Sequence, residues 1–161
     1  MTPQQLATLK AAILADPQLA SKPMNSDGAY DIAKLLEAPS SPPVIVWRTA
    51  VQQDEIMQNG FDWVQVDNLT VGKARIWEWM FSNESRSMNP SKLNVRAGID
   101  EAWKGTAAML AARAAVYVHC KRTANRGEAI FATGLGTDAS PSTLGIEGSI
   151  GWPDIEAARV S

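Results

Sequence analysis

Thr106-Ala-Ala-Met-Leu-Ala-Ala-Arg-Ala-Ala-Val-Tyr-Val-His-Cys-Lys-Arg-Thr-Ala-Asn-Arg-Gly-Glu-Ala-Ile-Phe-Ala132 is the longest stretch of the chain that reads as one kind of structure. Ala107, Ala108, Ala111, Ala112, Ala114 and Ala115 give it high helix propensity, because alanine loses no side-chain entropy on entering a helix. Ala112, Val116 and Cys120 share one i, i+4 row, and small side chains let a second helix approach closely. Read as one helix, the stretch spans about 40 Å at a rise of ~1.5 Å per residue. Gly127 inside it marks a kink or an early end. After it, Gly134-Leu-Gly-Thr-Asp-Ala-Ser-Pro-Ser-Thr-Leu-Gly145 and an acidic end break the helical pattern. The expected partition is therefore a helical domain, residues 1–133, and an extended C-terminal tail or arm, residues 134–161.

Upstream the chain reads as short helices. Thr2-Pro-Gln-Gln5 has a capping threonine, a proline at the first helical position and a glutamine that completes a capping box. Leu6, Leu9 and Ile13 then recur at helical spacing until Asp16-Pro17. A second helix starts at Ser26 or Asp27 and carries Ile32, Leu35 and Leu36 on one face. After the stiff Ser40-Ser-Pro-Pro43, the run Val44-Ile-Val-Trp47 is the one convincing strand-like segment, either an extended arm or paired with a distant partner. Val51 to Gln58 reads as a short helix stopped by Asn59-Gly60. A further helix is capped at Asp67, Asn68 or Thr70, with Leu69, Gly72, Ile76 and Met80 on one face. Ser82 to Pro90 reads as a loop, and Asn94 to Trp103 as another helix, in which Arg96 and Asp100 form an i, i+4 pair. The expected class is mainly α, a helical bundle with one long alanine-rich helix.

With 161 residues there is room for one core, and a net charge of −2 gives no global attraction to nucleic acid. No apolar run reaches the ~20 residues of a membrane span, so no membrane partner is expected. Met1-Thr-Pro-Gln-Gln5 shows no signal-peptide pattern. The lone Cys120 excludes an internal disulfide and fits a reducing cytosol. Six tryptophans are many for this length, and such rings serve either a small core or protein interfaces.

No motif carries chemistry. His119 and Cys120 are helix neighbours about 100° apart and do not meet as base and nucleophile. Gly134-Leu-Gly136 follows a helix rather than a strand, the reverse of a dinucleotide-binding loop. Gly72-Lys73 lacks the preceding glycine of a phosphate-binding loop. Asp54, Glu55, Asp62 and Asp67 have no metal-loop spacing. No catalytic residue, cofactor or metal is expected.

Two features suggest contacts with partners. Arg113, Lys121, Arg122 and Arg126 lie in a stretch without carboxylates from Lys104 to Gly127. Near a helix end they compensate the helix dipole, or they form a partner- or DNA-facing basic patch, a non-specific contact with phosphates. In the tail, Leu144, Ile146, Ile150 and Trp152 are spaced as anchors on another chain. Asp138, Glu147, Asp154 and Glu156 match them with charge for the basic helix end of a neighbour, and a disordered terminus is the plainer alternative.

Several blocks together carry a resemblance. They are Thr2-Pro-Gln-Gln-Leu6 with Ala15-Asp-Pro17, Val46-Trp-Arg-Thr49, Asn94-Val-Arg-Ala-Gly98, Ala129-Ile-Phe-Ala-Thr-Gly134, and Ala139-Ser-Pro141 followed by Glu147-Gly148. In order and spacing the chain resembles a family of small proteins from the virion-structure modules of tailed bacteriophages. The resemblance implies a structural virion protein, made in the host bacterial cytoplasm and located in the neck. It looks most like a head–tail connector adaptor that forms an oligomeric ring below the portal. The implied partners are the portal protein, neighbouring copies, other neck or tail proteins, and packaged DNA as a channel contact. A capsid-associated minor virion protein, a maturation enzyme and a DNA-binding module are the rival readings.

Overall fold

A computed structural model describes residues 1–58 and 60–160. In chain order the first elements are α1 (Pro3–Ala15), α2 (Pro17–Ala20), α3 (Ser26–Leu36), β1 (Ile45–Trp47), β2 (Val51–Gln52) and α4 (Gln53–Ile56). Then come α5 (Val64–Asp67), α6 (Val71–Met80), β3 (Ser87–Met88), α7 (Leu93–Ala102) and α8 (Ala107–His119). The chain ends with β4 (Lys121–Thr123), α9 (Arg126–Phe131) and α10 (Trp152–Val160). The fold is mainly α; its strands make only two-stranded sheets, β1 with β4 and β2 with β3. The chain forms two compact units, Met1–Val46 with Thr123–Ser161, and Trp47–Arg122.

The first unit joins the two ends of the chain. The Thr2–Gln5 capping box forms as the sequence predicts, and α1 runs to Ala15. Asp16 then closes α1 and caps α2, accepting from the Gln18 N–H at 2.9 Å. Asn25, one residue before the expected start, caps α3. The core packs Leu9 and Ile13 of α1, Leu19 of α2 and Ala29, Ile32 and Leu36 of α3 against Ile150 and, on α10, Ile155 and Ala158. A Cβ on Gly28 would lie 2.0 Å from the Pro23 carbonyl oxygen, so the close passage of the Pro23 backbone over α3 requires glycine.

This arrangement corrects the expected tail. Residues 134–161 do not form a free extended arm, and the chain does not divide at 133/134. Gly136 accepts a hydrogen bond from the Ile45 N–H (2.8 Å), and the Ser142 N–H donates to the Ile45 carbonyl (2.8 Å). Thr133 and Thr143 form an antiparallel bridge. α10 then closes the core, tied by the Met1 ammonium to Asp154 (3.1 Å), Ser26 Oγ to Glu156 (3.0 Å) and Arg159 to the Lys22 carbonyl (2.7 Å). Of the expected anchors, Ile150 finds its partners at the start of the same chain.

The second unit is built on aromatic packing. Trp77 stands edge-on to Trp103 with centroids 5.2 Å apart, and Trp103 meets Phe61 in the same way at 5.6 Å. Val51, Ile56, Phe81, Met88, Ile99, Ala102, Ala112, Val116 and Cys120 complete this core. The long helix expected over 106–132 is broken. α8 has 13 residues, about 20 Å. Cys120 caps its C-terminus, β4 follows, and Asn125 starts α9 with its own capping box to Glu128. Alanine propensity continues a helix only while packing keeps one face buried. The expected helix over 51–58 is shorter too. Val51–Gln52 pairs antiparallel with Ser87–Met88, inside the segment read as a loop, before the single turn of α4. Of its expected stop, Asn59 lies outside the described residues, as does the final Ser161.

Because α10 is core rather than tail, Ile155→Ala should lower unfolding free energy by about 3 kcal/mol, the usual cost of a buried isoleucine truncation. Urea denaturation checks this; a free arm would give no change.

Candidate interaction surfaces

Two of the four cations expected to form one patch, Arg113 and Arg126, have separate local partners. Arg113 pairs with Asp100 at 3.5 Å. The same carboxylate accepts from the Tyr117 hydroxyl at 3.1 Å, so Asp100 faces α8. The Arg96–Asp100 pair expected along α7 does not form. Arg96 donates instead to the Pro90 and Ser91 carbonyls (2.7 and 2.9 Å) and lies over the Trp47 ring at 4.6 Å. Lys121 and Arg122 lie on β4, directly after Cys120, the C-cap of α8. Arg126 opens α9 and bonds Asp16 (2.5 Å) and Gln18 (3.1 Å). The acidic partner expected on a neighbour's tail is, for Arg126, an aspartate of its own chain.

The four tail anchors also separate. Ile150 is buried in the core of the first unit, and its side chain meets the space where Gly127 lacks a Cβ. It is not available to another chain. Leu144 and Ile146 are half-buried, and Trp152 opens α10 at 45% exposure. Ile150 is positioned by a buried carboxylate: Glu128 accepts from the Gly148 N–H (2.9 Å) and from the Asn125 N–H (3.0 Å). One side chain therefore caps α9 and holds the returning segment at Gly148.

Cys120 is fully buried, and burial pushes its thiol up to about 12, which keeps it in the unreactive protonated form. Burial, reinforced by the Asp100 charge, also raises the Tyr117 hydroxyl above its ordinary value. The His119 carbonyl accepts from Arg48 at 3.1 Å. The same guanidinium makes a two-pronged pair with Glu55, at 2.6 and 3.2 Å. That hydrogen bond is the largest influence on Glu55 and holds its carboxyl below the ordinary 4.5. Among the described residues no cluster of three His, Cys, Asp or Glu side chains could hold a metal, and no helix is long and apolar enough to cross a membrane.

What the sequence reading passed over is the outer face of α8. Ala107, Leu110, Ala111, Ala114 and Val118 recur at i, i+3, i+4, i+7 and i+11, and all are exposed, Val118 at 72%. The inner row of Met109, Ala112 and Val116 fills the core. The helix is thus apolar on both faces, and only one is covered. Its signal was visible: Arg113 is the sole charged side chain between Lys104 and His119. Trp63 and Trp79 are also exposed, at 56% and 75%.

No protein-family model, no curated protein and no solved structure matches the chain.

Two outcomes follow from the Cys120 and Glu55 environments. The native protein should not react with a thiol-specific chromogenic disulfide at pH 8, and should release one equivalent once unfolded in guanidinium. The native pKa of Glu55 is depressed. Its stabilisation is therefore present above the unfolded-state value and is lost as pH falls through the native one. Glu55→Gln should lower the urea midpoint at pH 7, and the gap to the unsubstituted protein should narrow towards pH 3.

Proposed function

We propose that this chain is a structural virion protein of a tailed bacteriophage, a head–tail connector adaptor that forms an oligomeric ring below the portal and has no catalytic role. The observation that carries the self-association is the uncovered apolar face of α8. A row from Ala107 to Val118 without a charged side chain loses free energy by leaving water, at roughly 25 cal/mol per Å2. Its small residues allow a second helix to approach to the short end of the usual 8–10 Å range. Packed against a different surface of the next copy, this face makes a head-to-tail contact that repeats, and such contacts close into rings when the rotation between copies permits. The resemblance of the quoted sequence blocks supports placement in the virion, with the portal protein and other neck or tail proteins as further partners.

The cations favour protein contacts over a DNA contact. Arg113 and Arg126 are held by carboxylates of their own chain, which reduces what they offer to phosphates. DNA in this reading is a non-specific neighbour of the ring.

The test is a mass measurement of the purified protein, alone and with its portal. The expected result is a multi-copy assembly on the portal. A protein that stays monomeric in both samples overturns the reading. Val118→Glu, at an exposed site, should change stability by no more than about 0.5 kcal/mol and still abolish the assembly. Imaging of intact particles distinguishes a ring at one vertex from copies spread over the shell, the distribution of a capsid-associated protein.

A further inference from the structure

The second unit contains a cleft of about 550 Å3 beside Trp63, within the size range of ligand sites. One wall comes from Gln53, Asp54 and Met57, on and just after α4; the opposite wall is the turn Glu84–Arg86 before β3. Trp63 stands edge-on against Phe61, centroids 5.9 Å apart and planes at 87°, and remains 56% exposed on the cleft side of that contact. The turn is fixed in advance. Asn83 accepts from the Ser87 N–H (3.1 Å) and donates to the Ser87 carbonyl (2.5 Å), and Arg86 sits at φ 47. A non-glycine residue in the left-handed region is uncommon and persists where its surroundings hold it. Here Arg86 is held by its own hydrogen bonds: its guanidinium donates to Gln53 (3.0 Å) and its carbonyl accepts from the Gln53 N–H (3.1 Å).

We propose that this cleft is a docking site for an arginine side chain presented by a partner protein. The charge pattern selects the occupant. Asp54 and Glu84 line the cleft, and the Asp54 carboxylate accepts a hydrogen bond from its neighbour's backbone N–H, at 3.0 Å. Arg86, the one cation of the lining, keeps its charge but is turned to Gln53, so two carboxylates against one guanidinium leave the lining with a net negative charge. An indole face beside two carboxylates suits a guanidinium, which stacks on the ring and donates to both acids, while its methylene stem lies along Met57. Phosphates of a nucleic acid would face both carboxylates and are disfavoured. The cleft is open and its walls are largely exposed, so a free small molecule would bury little of its surface. A side chain carried by a folded neighbour has the rest of that interface to offset the ordering cost. The inference is independent of the connector reading, since any arginine-bearing partner satisfies it.

The test uses the full chain, 15N-labelled, titrated with the blocked tripeptides Ac-Gly-Arg-Gly-NH2 and Ac-Gly-Glu-Gly-NH2. The arginine peptide should give saturable shifts at the Trp63 indole N–H and the amides of Glu84 to Arg86, and the glutamate peptide none. Trp63→Ala and Glu84→Gln should each weaken binding about fivefold, the scale of one exposed cation–π contact or ion pair. Trp79→Ala should leave it unchanged. Glu84→Gln is an exposed substitution that keeps the fold intact, so loss of folding cannot mimic its effect. The proposal is overturned by shifts that fail to saturate at about 50 mM peptide, by equal response to the glutamate peptide, or by binding indifferent to Glu84→Gln. A protein that assembles on the portal yet fails this titration retains the connector reading and loses only the arginine site.

Discussion

The burial of Ile150 and Ile155 among Leu9, Ile13, Ile32 and Leu36 is the contact on which the first unit depends. It joins the first helix and the last helix in one core, so neither end can order without the other. Chain ends are commonly loose because nothing covers their backbone. Here Met1 binds Asp154 and Arg159 binds the Lys22 carbonyl, so both ends are held by side chains as well as by apolar area. The glycine-rich run between α9 and α10 then has a geometric task. It must leave Phe131, form the Thr133–Thr143 bridge and return Ile150 to the core, and Gly134 and Gly136 adopt the positive φ values, 130 and 67, that such reversals need.

Glu128 shows how few groups direct that return. A buried carboxylate without partners is costly, which forces acceptor bonds to be found wherever the backbone passes. The Asn125 N–H lies on the cap of α9 and the Gly148 N–H lies on the segment that returns to the core, so one carboxylate holds both. Gly127 permits the approach, since a Cβ there would lie 3.1 Å from Ile150 Cδ1. The polar contact and the apolar one therefore specify the same register.

Local signals were legible in the sequence and non-local ones were not. The capping box at Thr2, the end of α1 at Asp16-Pro17, the start of α6 at Thr70 and the strand at Val44 to Trp47 all rest on residues within a few positions of one another. The overextended helix had a readable correction. Asn125 followed three residues later by Glu128 is the same kind of start signal as Thr2 with Gln5, but the alanine count outweighed it. In contrast, the pairing of Val51–Gln52 with Ser87–Met88 depends on two residues per strand and has no periodicity to read. The partners of two cations of the basic patch were hidden for a related reason. Linear proximity placed Arg113 and Arg126 together, while each had a carboxylate at hydrogen-bonding or ion-pair distance that the sequence could not locate. The exposed α8 face and the Trp63 cleft required three-dimensional burial to be seen at all.

The distribution of what is satisfied and what is exposed is what supports the proposal that the protein works through surfaces. Cys120 is buried and protonated, and the His119 carbonyl and the Glu55 carboxylate are both engaged by Arg48. These groups are engaged within the fold. The apolar groups go the other way: Trp63, Trp79, Val118 and Trp152 stay in water although each unit already has a filled core. Isolated exposed hydrophobics are ordinary, but a charge-free helical row and a tryptophan at the wall of a preformed cleft are arranged features. Exposure of such groups costs free energy in the isolated chain, and covering them with protein recovers it. This asymmetry, internal polar satisfaction with external apolar excess, is the physical basis of the proposed assembly role.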